Sequence, residues 1–598
     1  MKKNLLTLIG ALITIYSVDA QSFNQFTGTG SGNKITSGKF NTAYGDSTAI
    51  ELTSQLYNTF FGYGAGRNNT TSELTAIGYL SGYSNTTGFD NTFVGTEAGR
   101  LNFTGGDNTF MGTESGENNT TGYDNAFFGE ESGTQNTTGY ENTFIGEDAG
   151  MSNTTGYKQV FIGNEAGISA EQGYRNVAVG SESMSDVRFG HHNTAIGDSA
   201  AIDVGAGVYN TMLGAAAGPA TEHADFNTFV GSMSGWDNNR TNSTTNANRN
   251  TYVGHLSGAS NREGEDNAGF GAFSGYGRHV GGTGFRGATL RSRTTFFGSQ
   301  SIAANDDVIT MGYYSYNQGR YAIGIGNEGN LLDAAGAIMM GHQFVTTAAS
   351  DSSVGIGFQA NIAQTRSVGI GNQVNVANSD AVSVGSRSSV SANQSIAIGA
   401  GSMVSGTNSL AIGYGASVTG DNQVFVGNGS STSIGGSVNW TATSDQTLKK
   451  HVAENIPGLA FIDILRPVSY HYDTPRLQAQ FGGPGNGEKE DIRYSGFLAQ
   501  EVEEAAKLIG YDFSGVDTPQ DETGVYGLRY AEFVVPLVQA VKELHVKVKT
   551  QEAQLATSGQ VIAQYEKALA EIEARLNKLE KSEAFFSVED ADQVSNNQ

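Results

Sequence analysis

The chain has 598 residues, 82 glycines, seven prolines and no cysteine, and carries a net charge of −25 at pH 7. That length exceeds one ordinary core, so several units or a repeat array are expected. The missing cysteine excludes disulfides, Cys-ligated zinc and cysteine nucleophiles. The acidic balance argues against nucleic acid and anionic membrane as partners.

In chain order, the first feature is a leader. Lys2 and Lys3 precede an apolar run from Leu5 to Tyr16, and Val18-Asp19-Ala20 fits a small-residue cleavage site. This predicts a signal peptide over 1–20 and an exported product, extracellular or on a bacterial cell surface. No later stretch is a transmembrane candidate, so no integral membrane anchor is expected. Residues 21–57 are assigned to an N-terminal cap.

Repeats follow. The words "NTFVGTEAG", "NTFMGTESG", "NAFFGEESG", "NTFIGEDAG" and "QVFIGNEAG" place Gly95, Gly112, Gly129, Gly146 and Gly163 at steps of 17. Later lines step by 14, at Gly298, Gly312 and Gly326 and again from Gly357 through Gly371, Gly385, Gly399 and Gly413 to Gly427. A repeat of this size holds short strands and turns, one coil of a β-solenoid, and stacking buries what a single coil cannot. Residues 58–297 are read as 17-residue-type and irregular coils, and 298–443 as 14-residue coils. About two dozen coils at ~4.8 Å each make a rod on the order of 110 Å long. Alternation sets Phe93, Phe110, Phe127, Phe144 and Phe161 opposite Val94, Met111, Phe128, Ile145 and Ile162. Two apolar faces on one strand imply that both are covered, and therefore that several chains pack around an axis.

The words "SIAIGAGSMVSG" and "SLAIGYGASVTG" resemble the head repeats of trimeric autotransporter adhesins, the YadA-like family. The resemblance is close over 298–430 and looser over 58–297. It implies a left-handed parallel β-roll in a homotrimer, with a glycan or a host-surface receptor as partner. Anchoring by that family's terminal barrel is not expected.

At Ser444 the composition changes. One of the seven prolines, Pro219, precedes it, as do 71 of the 82 glycines. Ser444-Asp445 reads as a helix N-cap before "QTLKKHVAENI". With "GLAFIDILRPVSYHYD", "YSGFLAQEVEEA" and "YGLRYAEFVVPLVQAVKEL" downstream, the segment resembles the intramolecular chaperone domain of phage tailspikes and endosialidases, peptidase S74. Its Ser-Asp-x-x-Leu-Lys signature matches Ser444, Asp445, Leu448 and Lys449. The resemblance implies one self-cleavage in cis between Thr443 and Ser444, with Ser444 as nucleophile and Lys449 as general base, and no turnover of an external substrate. Asp445 and Lys450 are supporting candidates. Lys450 would act as a neighbouring cation, and amides at the start of the helix would stabilise the oxyanion.

The chaperone domain is assigned to 444–535. Apolar residues from Leu537 through Val541, Leu544, Val548, Leu555, Ile562, Tyr565, Leu569, Ile572 and Leu576 to Leu579 predict a trimeric coiled coil over 536–580. Residues 581–598 read as a disordered acidic tail. The fold class expected is mainly β: a trimeric left-handed parallel β-roll, then a small α+β domain and the coiled coil. The function expected is an adhesin-like surface fibre whose C-terminal domain templates its trimerisation, with a phage-type tail fibre, glycan-binding or glycan-degrading, as the alternative.

Other motifs weigh less. "GIGNEG" (324–329) fits a dinucleotide loop but lies inside the coil array. His191-His192 reads as surface histidines, and N-x-T sequons such as Asn119 and Asn136 as turn residues before glycan sites. No cofactor is expected. Glu97, Glu114, Glu131, Asp148 and Glu165 share one repeat position, a solvated carboxylate ladder or a weak cation site.

Overall fold

The computed structural model describes residues 23–240, 244–276, 292–481, 487–519 and 524–589, without the side chains of 488 and 583–589. The expected leader over 1–20 lies outside them. The chain divides into two compact units, residues 1–426 and 427–598.

The first unit is a parallel β-solenoid. Its principal sheet has 25 strands, each of three residues, running from Gln25–Thr27 to Val424–Val426. Each strand pairs in parallel with its equivalent in the next coil, as in Thr92 with Thr109, Phe93 with Phe110 and Val94 with Met111. Residues 25–57, expected to form a cap, are coils of the same sheet: Phe26 pairs with Ala43, and Ala43 with Phe60. The array was legible there too, since Gly28, Gly45 and Gly62 are 17 apart. At the other end the last rung closes at Val426, whereas coils were expected to run to 443.

The middle residue of each strand points inward. In the 17-residue coils it is often phenylalanine, and Phe93, Phe110, Phe127, Phe144 and Phe161 are fully buried. Their rings stack with centroids 4.7–5.1 Å apart. A stack of equal rings at the strand spacing fills the interior without voids. Beside it runs a ladder of buried asparagines. Asn125 donates its backbone N–H to Asn108 Oδ1 (3.1 Å) and its Nδ2 to the Gly139 carbonyl (2.9 Å). Buried amides are thereby paired coil by coil.

In the 14-residue coils the same inward position holds Gly355, Gly369, Ser383, Ala397 and Ala411. A second sheet of nine two-residue strands completes these coils. It points Ile362, Val376, Val390, Val404 and Val418 inward. Where the inward position is this small, an isoleucine or valine from the second sheet meets it, and two thinner apolar files fill the coil.

Glycine is required where coils abut. Gly129 has φ +148°, and a Cβ there would lie 2.1 Å from the Gly146 carbonyl oxygen. The larger apolar residues flanking the inward one face outward, and Met111, Ile145, Ile196, Ile370 and Ile398 are 38–41 % exposed.

The second unit is a small α/β body. It contains α1 (Leu459–Ile462), α2 (Thr474–Phe481), α3 (Ala499–Leu508) and α4 (Val534–Glu589). Val468–Tyr470 pairs antiparallel with Tyr494–Gly496. Phe461, Val502, Ala505, Ala506, Phe513 and Phe533 form its core. Helix α4 continues to Glu589, so the segment from 581 expected to be disordered opens as helix. Residues 590–598 lie outside the description.

Candidate functional site

Residues 432–455 are exposed throughout and mostly without regular secondary structure. The helix expected after Ser444 is a single three-residue turn, Gln446–Leu448. Leu448 and Val452 would share one face of such a helix, yet both are exposed, at 72 % and 79 %. With nothing to bury that face, a ten-residue helix is not sustained. Asp445, rather than Ser444, caps the turn: its carboxylate accepts from the Thr447 backbone N–H (2.7 Å) and hydroxyl (2.6 Å). The hydroxyl and then the N–H hold the Asp445 carboxyl below its usual range. A turn this short offers no helix start to serve an oxyanion.

The capped turn folds Lys449 back on Ser444. Lys449 Nζ lies 2.6 Å from Ser444 Oγ, within hydrogen-bonding reach. Thr443 and Lys450 flank the pair, both exposed. A hydroxyl next to the Thr443 carbonyl and an amine in contact with that hydroxyl are the parts of a nucleophile and its base. Residues 444–511 match the family model of the chaperone of endosialidase, Peptidase_S74. No curated protein matches the chain. The match covers the turn, α1 to α3 and the antiparallel strand pair. A segment matching this family behind a long β-solenoid fits a tailspike- or endosialidase-like architecture.

Two anchors that sequence reasoning missed hold this segment. Lys489 Nζ donates to the carbonyls of Gly429 and Ser431, both at 3.0 Å. At the far end, the Leu459 N–H donates to Glu543 Oε2 on α4 (2.7 Å), which holds the Glu543 carboxyl low. A lone lysine and a lone helix glutamate carry no motif, so only the fold reveals them.

The other candidates separate. Glu97, Glu114, Glu131, Asp148 and Glu165 all occupy left-handed turn positions. Glu97 pairs with Arg100 at 2.8 Å. Partial burial, ahead of neighbouring charges, raises its carboxyl. Among the described residues no group of three His, Asp or Glu side chains is placed to hold a metal ion.

"GIGNEG" is not a phosphate loop. Gly324 lies within strand Ile323–Ile325, and Gly329 makes room for the Phe344 ring, 2.0 Å from where its Cβ would stand. His191 and His192 join a stack of exposed aromatics, with His191 on Tyr174 (4.4 Å) and His192 on Tyr209 (4.7 Å). Asn119 and Asn136 are interior: both are fully buried, and Asn136 Nδ2 donates to Asn119 Oδ1 at 2.6 Å. No glycan fits there in the folded coil. No helix among the described residues is long and apolar enough to cross a membrane.

Proposed function

We propose that the chain is an exported, trimeric, adhesin-like fibre built by its own C-terminal chaperone, which then cuts itself free between Thr443 and Ser444. The observation that carries this is the 2.6 Å contact between Ser444 Oγ and Lys449 Nζ, inside a segment that matches a chaperone family.

The chemistry follows from the order of atoms. Lys449, once neutral, takes the Oγ proton as Oγ attacks the Thr443 carbonyl carbon. Collapse breaks the C–N bond, and the proton goes to the departing α-amine of Ser444. Thr443 is left as an ester on Oγ, which water hydrolyses. A lysine serves as base when desolvation or nearby cations lower its proton affinity. Lys450 supplies one cation, and enclosure of the turn on assembly supplies the desolvation. Asp445 shapes the turn.

Trimerisation answers a register problem. Coils of one period re-form most contacts when a chain slips by one repeat, and non-local pairing nucleates slowly. Helix α4 exposes Leu544, Leu555, Ile562, Leu569, Ile572, Leu576 and Leu579, the stripe a coiled coil would bury. Joined there, three chains start in register at high effective concentration. The outward apolar file of the solenoid would then face the other copies. A phage-type fibre shares this machinery, and the family match supports it equally; the leader over 1–20 favours export.

The test is a denaturing gel with N-terminal sequencing on the mature chain and on Ser444→Ala and Lys449→Met. We expect a fragment beginning Ser-Asp from the unaltered chain and none from either variant. An uncut chain in all three would reduce the domain to a permanent clasp.

A further inference from the structure

Both ends of residues 432–455 are tied to the second unit, at Gly429 and Ser431 by Lys489 and at Leu459 by Glu543. Between the ties no other described residue covers them. The exposed apolar side chains are large: Trp440 is 89 % exposed, Val438 82 % and Ile434 61 %. Exposed apolar residues in one continuous segment mark an interaction surface. The segment carries one aspartate, one glutamate and two lysines, so its charge does not aim it at an ionic partner.

The same unit holds an open, aromatic-walled groove. Tyr470, Phe497, Tyr526, Leu528 and Tyr530 line it, beside the start of α3. Phe497 donates its N–H to Tyr530 Oη at 3.1 Å, which fixes two of the walls. Burial, with the neighbouring Tyr472 next in effect, drives the Tyr470 hydroxyl upward. The arm does not enter the groove of its own copy.

We infer that residues 432–455 form an arm that docks on a second copy of this chain, with Trp440 seated in that copy's groove between Tyr470, Phe497, Tyr526 and Tyr530. The inference rests on the trimeric reading above and names the contact that would lock it. Reach permits the exchange: Trp440 stands nine residues from the Ser431 tie, which lets it extend to ~30 Å, against an interaxial spacing of about 10 Å between packed helices. The exposed stripe of α4 points to the same partner, because a helix with such a stripe buries it against its own kind. Tryptophan in a pocket of tyrosines is also the composition of a binding hot spot. Docking would cover Ser444 and Lys449, a few residues beyond Trp440.

Because the chain has no cysteine, a Trp440→Cys, Tyr526→Cys pair in the full chain with Ser444→Ala tests this directly. After oxidation, a non-reducing denaturing gel should show most of the protein as inter-chain bands. Single-chain bands from material that light scattering shows to be assembled would overturn it. A second readout does not depend on disulfide geometry. With Trp236→Phe in the Ser444→Ala chain, Trp440 is the sole tryptophan, and its emission should shift blue on assembly and red on dilution. Solvent-like emission from the assembled protein would sink the proposal. The Ser444 cleavage assay is separate. Cutting without cross-links keeps the protease and discards the docking, and cross-links without cutting do the reverse.

Discussion

The 17-residue and 14-residue coils share one sheet, one register rule and one glycine-gated contact between coils, yet they fill their interiors by opposite means. The longer coil buries a phenylalanine stack and pairs its polar backbone through asparagines. The shorter coil puts glycine, serine or alanine at the same position and closes over valines from a second strand. The outward residues stay large in both. Coil length therefore sets the interior, while the outward apolar file is kept along the array and marks the face the two kinds of coil have in common.

The largest expected effect should erase the difference. Gly129→Val and Gly385→Val each put a Cβ against the next coil's carbonyl oxygen, at 2.1 and 2.4 Å. Each should cost more than about 4 kcal/mol, read as loss of hydrogen-exchange protection in the flanking coils. Equal tolerance of both would break the shared-contact argument.

Swapping interiors comes next. Phe127→Ala should cost about 3–5 kcal/mol through the cavity left between Phe110 and Phe144. Ala397→Phe should cost about 1–3 kcal/mol by overpacking, whereas Ala397→Gly should cost under about 1 kcal/mol. Local exchange protection checks each.

Polar support is smaller again. Asn125→Ala leaves the Asn142 N–H without its acceptor and takes one of two amide donors from the Gly139 carbonyl, and should cost about 1–3 kcal/mol. Ser402→Ala removes a hydroxyl bond to the Gly399 carbonyl, at about 1 kcal/mol.

Acid should move the two regions apart by the least. Glu73 is raised by sharing a hydrogen bond with Asp90, and Asp107 by burial and then by Asp124. Their folded values lie above the unfolded ones, so this stabilisation grows as pH falls and is lost as it rises. Asp380 is held low by its bond to Arg366, so its stabilisation is present at neutral pH and lost on acidification. As pH falls from 7, protection factors should rise around residues 73–107, whereas around 366–380 they should fall only below about pH 4, the unfolded aspartate value. Salt should shrink both changes.

Much of this was legible in the sequence, and the reasons for the rest are physical. Repeat length and register followed from glycine spacing, because the left-handed contact admits nothing larger. Which strand face pointed inward did not follow, since "SIAIG" alternates symmetrically and only coil width makes Ala397 the interior residue. Ser444 and Lys449 were readable as a pair from their signature. The turn that joins them was mistaken for a helix because local propensity says nothing about whether Leu448 and Val452 have a surface to cover. Trp440 carried no periodic signal, and its exposure became visible only with the fold around it.

The interior asparagines also bear on how the protein can be produced. Asn85, Asn102, Asn119, Asn136 and Asn153 each begin an N-x-T triplet, and all are fully buried in one amide file. In a host whose secretory pathway attaches sugar to such triplets as the chain emerges, the nitrogen that bonds the preceding coil would be consumed before the two coils stack. Such a host should return glycosylated, unstacked material, whereas a host without that machinery should return the fibre.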